Sequence, residues 1–268
     1  MLCLSSKSDP RKNQILANLK DDAFELLKLH SSIIYLDKGT VICEAGDKAD
    51  HVYFPHDGMV SLLAIMKNGQ TVETSTVGRD GVIGAMVGLG HFISSVRAIV
   101  QLPMNVSRIP AARFRQATAK SKAIEWASIH YNEVLLSQTR ILVACNTFHS
   151  IEKRFCRMLL RSADYSQGTS LRLTQEFMAQ LLGVRRTSVT QVADRLQRMG
   201  FISLSRGLIH ISNREALETL TCGCYQSLLK IAGPETLLWP GAVSPMAQAS
   251  EMAVQRDVRG LGHETEVS

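Results

Sequence analysis

Hydrophobic positions change period three times along the chain. Ile15, Leu16, Leu19, Ala23, Phe24, Leu26 and Leu27 recur at helical spacing, which predicts a short amphipathic helix over residues 13–29 behind a loose polar lead, 1–12, broken at Pro10. From residue 31 the runs shorten and become β-rich, each closed by Gly or Pro: 33–46, 51–58 and 59–66. Asn68-Gly69 lies between two such runs and predicts a hairpin with a type I′ turn, whose central residues need positive φ. Residues 96–102 and 106–109 add strands, and the pattern closes at Pro110. These runs predict an all-β roll of the jelly-roll kind.

From 121 to 149 the period is helical again, without Gly or Pro, over roughly 40 Å at about 1.5 Å per residue. Its stripe includes Ile124, Tyr131, Leu135, Gln138 and Leu142. A helix longer than one roll needs is expected to supply a dimer seam along that stripe.

Residues 150–217 then read as helix, helix, tight turn, helix, hairpin, helix. Ser150 and Thr174 are candidate N-caps, Gly183 the turn, and Gly200 a C-cap. On the helix after Gly183, Val189, Val192, Ala193 and Leu196 fall on one side, and Arg186, Thr187, Thr190, Gln191 and Asp194 on the other. A two-stranded wing follows, turning at Arg206-Gly207. This is a winged helix-turn-helix, so the whole chain is expected to be α+β. Arg can pair with guanine and Gln with adenine in a major groove, which makes Arg186, Thr187 and Gln191 the expected base readers. Thr174, Gln175, Ser188 and Arg206 sit where phosphate contacts are expected.

Charge sharpens this division. The net charge is +6 overall. Residues 1–150 carry 16 Lys+Arg against 13 Asp+Glu, residues 151–230 carry 12 against 6, and residues 231–268 carry 2 against 5. The basic excess therefore coincides with the helix-turn-helix, as double-stranded DNA as partner requires. Beyond it, 231–268 reads as an acidic, Pro- and Gly-containing tail expected to lack fixed structure. The six cysteines are scattered as in a reducing compartment. With no secretory signal or long apolar span, the cytoplasm is the expected location, and no membrane partner is expected. No P-loop, nucleophile elbow or His-Glu-x-x-His occurs, so an enzyme is not expected.

The run EAGDKADHVYFPHDGMVSLL, the long helix, and LTQEFMAQLLGVRRTSVTQVADRLQRMGFI with its wing resemble the Crp/Fnr family of bacterial transcription regulators over residues 13–217. The resemblance implies five regions: a lead (1–12), a cyclic-nucleotide-binding-like roll (13–120), a dimerisation helix (121–149), a winged helix-turn-helix (150–217) and the tail (231–268). It further implies a homodimer on a two-fold symmetric operator, with RNA polymerase as a partner.

Departures from the family pattern bear on the effector. Nucleotide-binding members carry Gly-Glu and, further on, Arg-Ser/Thr-Ala; here the stretch reads Gly84-Ala85 and Arg97-Ala98. Cyclic AMP is therefore not expected to bind, although a cyclic-nucleotide-responsive regulator remains the alternative, and a metabolite-binding or enzymatic roll a remote one. Arg97 is a weak effector candidate that reads more simply as a strand residue in a salt bridge. Cys3 stands alone at the N-terminus, so no iron–sulfur cluster is expected. Cys222-Gly-Cys224 has no His or Cys near it in sequence and reads as small buried side chains, so no metal is expected. His51, His56 and His91 read as polar loop residues. Thr187 and Gln191 replace family residues on the reading helix, so no known operator transfers.

Overall fold

The computed structural model describes residues 8–166 and 168–231. The chain opens on a 3-10 turn, Pro10–Lys12, capped by Asp9, whose carboxylate accepts from Arg11 N at 2.9 Å. The loose lead expected here is instead held down over residues 8–12. Ser8 is buried and bonds His56 Nδ1 at 2.9 Å, while Arg11 pairs with Asp21 at 2.5 Å and covers the Phe24 ring. Composition could not reveal these partners because they lie across the fold; residues 1–7 are outside the described part.

The single helix expected over 13–29 is two, α1 (Gln14–Asn18) and α2 (Asp21–Lys28), parted by extended backbone at Leu19 and Lys20. Asn13 fixes the start. Its carbonyl oxygen caps Leu16 N at 3.2 Å, and its amide donates to Pro55 O and Gly81 O at 2.9 and 2.8 Å. The break lets both short helices turn their apolar sides onto one core.

Seven strands follow: β1 (Ser32–Leu36), β2 (Val41–Cys43), β3 (His51–Pro55), β4 (Met59–Ile65), β5 (Thr71–Val77), β6 (Arg97–Leu102) and β7 (Met104–Pro110). They form two antiparallel sheets, ordered β1-β7-β3 and β2-β6-β4-β5, the expected roll. The β4–β5 hairpin lies where Asn68-Gly69 placed it, but its turn is longer than the type I′ form. Gly69 N donates to Met66 O at 2.8 Å and Met66 N to Gln70 O at 2.8 Å, with Gly69 at φ +83°. That is the pattern of a three-residue loop with glycine in the left-handed position.

A helix that periodicity did not signal, α3 (Ala111–Lys120), follows β7; only Phe114, Ala117 and Thr118 of its ten residues are buried. Such a stripe is too thin to stand out. Then α4 (Lys122–Phe148) runs for 27 residues. Ile124, Tyr131 and Val134 of its first half complete the roll's core with Phe54, Val60, Val100, Met104 and Phe114.

The C-terminal module comprises α5 (Ile151–Ser166), β8 (Ser170–Leu171), α6 (Gln175–Leu182), α7 (Arg186–Arg198), β9 (Ile202–Ser205), β10 (Leu208–Ile211), α8 (Arg214–Leu220) and α9 (Cys224–Ile231). Ser150 Oγ accepts from Lys153 N at 3.4 Å, the cap expected for α5. The unpredicted β8 makes the wing a three-stranded sheet, β8-β10-β9; two residues are too few to carry a period. Phe155, Leu159, Met178, Val189, Leu196, Ile202 and Leu217 build the module's own core, and Leu63 of β4 joins it. A buried hydrogen-bond chain also ties roll to module: Ser61 Oγ to Gln101 Oε1 at 2.6 Å, and Gln101 Nε2 to Ser162 Oγ at 2.9 Å. None of the described helices is long and apolar enough to cross a membrane. The tail expected over 231–268 lies, after Ile231, outside the described residues.

Candidate nucleic-acid interface

Thr174 starts α6 as the sequence predicts, its Oγ1 accepting from Phe177 N at 3.2 Å. Gly183 ends α6 at φ +62°, ψ 39°, a left-handed position that a residue with a Cβ rarely adopts. A Cβ there would also come within 3.2 Å of Val72 on β5, so the turn sits close against the roll's hairpin. The next helix, α7, buries Val189, Ala193 and Leu196 completely and leaves Arg186, Thr187, Gln191 and Asp194 exposed. Thr190 Oγ1 lies 2.7 Å from Gln175 Oε1, which fixes the start of α6 against α7.

Of the expected phosphate contacts, the wing turn and Thr174 lie close together. Arg206 and Gly207 form the exposed wing turn, and a Cβ on Gly207 would stand 3.8 Å from Thr174 Cγ2, so the wing tip lies beside the N-terminus of α6. Ser188 is half-buried on the first turn of α7, and Gln175 is half-buried with its carbonyl oxygen taken by Thr190. Arg172, Arg185 and Arg198 are exposed on the same module, while Arg195 pairs with Glu152 at 3.3 Å. An exposed basic and polar helix start, backed by an N-terminal helix dipole, suits a polyanion.

The residues expected along the dimer seam are largely covered within the single chain. Ile124, Tyr131, Gln138 and Leu142 are each at most 3% exposed within the single chain, and Leu135 is half-buried against the roll. Gln138 Oε1 even accepts from Thr76 N on β5, at 3.2 Å. Ile124 and Tyr131 of that stripe are part of the roll's core, and Leu135 packs against it. The apolar side chains that α4 leaves uncovered are Ile129, Leu136 and Val143, 51%, 42% and 61% exposed and one heptad apart, with Phe148 beyond them.

Between the roll and α4 lies a cavity of about 410 Å³, lined by Tyr53, Leu62, Val82, Ala98 and, from α4, Asn132 and Leu135. Its polar lining includes Asp47, Lys48, His51, His91 and Ser94; among the described lining residues there is no arginine or glutamate. Ala85 is buried at the start of the 3-10 turn Ala85–Leu89. Arg97 pairs with Glu44 at 2.7 Å, the salt-bridge role expected of it. Of the three histidines expected in loops, His51 opens β3, while His56 and His91 do lie in loops. His51 and His91, distant in sequence, line this one cavity, and burial lowers the His51 pKa. His56 is buried between Ser8 and Ser107 (2.9 and 2.8 Å), and burial lowers its pKa too.

One cluster joins residues too far apart in sequence to be read together. Cys222 and Cys224 meet Cys145 and His149 of α4. The legible signal was the four-residue spacing from Cys145 to His149, which puts both on one helix face.

A roll of this topology joined through a long helix to a three-stranded winged helix-turn-helix defines a DNA-binding regulator with a cyclic-nucleotide-binding-type domain. Residues 33–121 match the cyclic nucleotide-binding domain family, and residues 153–220 match the Crp-like helix-turn-helix domain. The chain belongs to the Crp/Fnr family of transcription regulators. Solved structures share the fold. A Crp/Fnr-family regulator from Eubacterium rectale is 20% identical, covers 77% of this chain and 96% of its own, and superposes with a TM-score of 0.61. The c-di-GMP-responsive regulator CLP of Xanthomonas campestris is 20% identical over 72% of this chain and 99% of its own, with a TM-score of 0.59. FixK2 of Bradyrhizobium japonicum is 14% identical over 72% and 98%, with a TM-score of 0.60. Comparison with curated proteins by sequence gives no match.

Proposed function

We propose that the chain acts as a homodimeric, sequence-specific regulator that reads two half-sites about 34–36 Å apart with α7, one per protomer. The observation that carries this reading is the division of α7 into a buried face (Val189, Ala193, Leu196) and an exposed face offering Arg186, Thr187 and Gln191. Arg186, Thr187 and Gln191 read base edges; Thr174, Gln175, Ser188 and Arg206 bind phosphates. Dimerisation uses the uncovered stripe Ile129, Leu136 and Val143, whose seven-residue spacing suits a two-helix seam. RNA polymerase is the machinery such a regulator acts on.

Binding isotherms on a selected operator and on scrambled DNA, at one salt concentration, test the reading. Arg186→Ala lowers operator affinity by about 1–3 kcal/mol and leaves scrambled DNA nearly unchanged, while Thr174→Val weakens both alike. Equal loss on both DNAs for Arg186→Ala would contradict base readout by this residue.

In this reading the roll cavity does not answer to cyclic AMP. Ala85 cannot hold a ribose hydroxyl as a carboxylate does, a charge-assisted bond of about 1.5–3 kcal/mol, and Arg97 is engaged by Glu44. The cavity of about 410 Å³ itself favours the second reading, a cyclic-nucleotide-responsive regulator. Calorimetric titration with cyclic AMP and cyclic GMP separates them: no heat of binding is expected, and a micromolar constant for either establishes the second reading.

A further inference from the structure

Cys145 and His149 lie one turn apart at the end of α4, and His149 is its C-cap. Cys222 precedes α9 and Cys224 opens it. The three Sγ atoms and one imidazole nitrogen lie within 4.8 Å of one another. Cys145 Sγ is 3.5 Å from Cys222 Sγ, and Cys224 Sγ is 3.6 Å from His149 Nδ1. A disulfide would need about 2.05 Å, so these are separate thiols. Tetrahedral zinc with Zn–S of about 2.3 Å and Zn–N of about 2.05 Å sets its ligand atoms about 3.8 Å (S to S) and about 3.6 Å (S to N) apart. The ligand atoms stand almost at that spacing already. An iron–sulfur cluster spreads its thiolates over several irons and needs a wider set.

The surroundings supply charge balance. Zn²⁺ with three thiolates and a neutral imidazole carries one net negative charge. Arg157 of α5 is 5% exposed, its Nε has no hydrogen-bond partner, and its charge acts on Cys145 and Cys224. Cys145 and Cys222 are buried whereas Cys224 and His149 are half-buried, so two ligands lie deep and two remain reachable from solvent.

We propose that Cys145, His149, Cys222 and Cys224 form a four-ligand site for a thiophilic divalent ion of the zinc type. The site clips α9 to the end of α4, next to Ser150, where the chain passes from the long helix to the DNA-binding module. Occupancy therefore stiffens the junction on which the angle of α7 depends. This regulatory consequence, unlike the site itself, rests on the DNA-binding reading above.

The test uses the reduced full-length chain, freed of metal by a chelator and titrated with Co²⁺, whose visible absorption reports tetrahedral geometry and thiolate ligation. Expected are a thiolate-to-cobalt band that saturates at one ion per chain, and its displacement by one equivalent of Zn²⁺. His149→Ala and Cys224→Ser, both at half-buried positions, weaken uptake by more than about tenfold, since even an outer-shell loss costs about 10–100-fold. Cys43→Ser, outside the cluster, leaves the band intact. Circular dichroism of each variant checks that it has folded. Absence of a saturable band after reduction, or a band unchanged in both ligand variants, overturns the site. Operator isotherms with and without Zn²⁺ form a separate readout: unchanged affinity with a normal cobalt band overturns only the coupling to the junction.

Discussion

The helices α4 and α7 pose the same question, which face is inside, and differ in how far sequence answers it. On α7 the buried residues Val189, Ala193 and Leu196 are apolar and the exposed ones are Arg, Thr, Gln and Asp, so one chain suffices to assign both faces. On α4 apolar side chains point both ways. Ile124, Tyr131 and Val134 go to the roll, Leu142 is buried as well, and Ile129, Leu136 and Val143 go to the surface. When a helix is hydrophobic on two sides, its period alone does not say which stripe its own roll covers.

The largest expected effect comes from charging the outer stripe. Leu136→Glu is expected to leave the thermal midpoint near wild type, to shift sedimentation to a monomer, and to bring operator affinity down to that for random DNA, about 10³–10⁷ weaker. Leu142→Ala on the inner stripe does the reverse. Only 3% exposed, Leu142 is expected to cost about 2–5 kcal/mol of stability in denaturant unfolding, with self-association of the folded fraction retained. If the two variants exchange phenotypes, the faces of α4 are assigned the wrong way round.

A smaller effect sharpens the contact between roll and module. Glu73 of β5 is 6% exposed, and its Oε1 has no hydrogen-bond partner. Burial raises its pKa, against the opposing pull of Arg157 and Arg161 on α5. Because the folded pKa lies above the unfolded one, this residue's contribution is full below about pH 4.3 and is lost as pH rises through the raised value. Glu73→Gln is therefore expected to gain on wild type in thermal midpoint between about pH 5 and 7. Parallel pH profiles for the two proteins would show that Glu73 is not held in the way described.

Legibility follows the range of the interactions involved. The Thr174 cap, Gly183, the faces of α7 and the wing turn are set by neighbours within a few residues, and they stand where the sequence places them. The hairpin at Asn68-Gly69 was readable in position but not in turn type, since pairing of Met66 with Gln70 decides the loop length. What stayed hidden depends on partners far along the chain. The order over Ser8–Lys12 comes from His56, Asp21 and Phe24, the inner stripe of α4 needs the roll, and Cys222 and Cys224 find Cys145 and His149 some 75 residues away.

Sequence-specific reading by a symmetric dimer is tested most directly by selection of the full-length protein on random-sequence duplex DNA. Enrichment of a two-fold symmetric site, with half-sites centred about 10–10.5 base pairs apart, and loss of that symmetry with Leu136→Glu are expected. Recovery of sequences no different from the starting pool, with binding governed by salt alone, would contradict it.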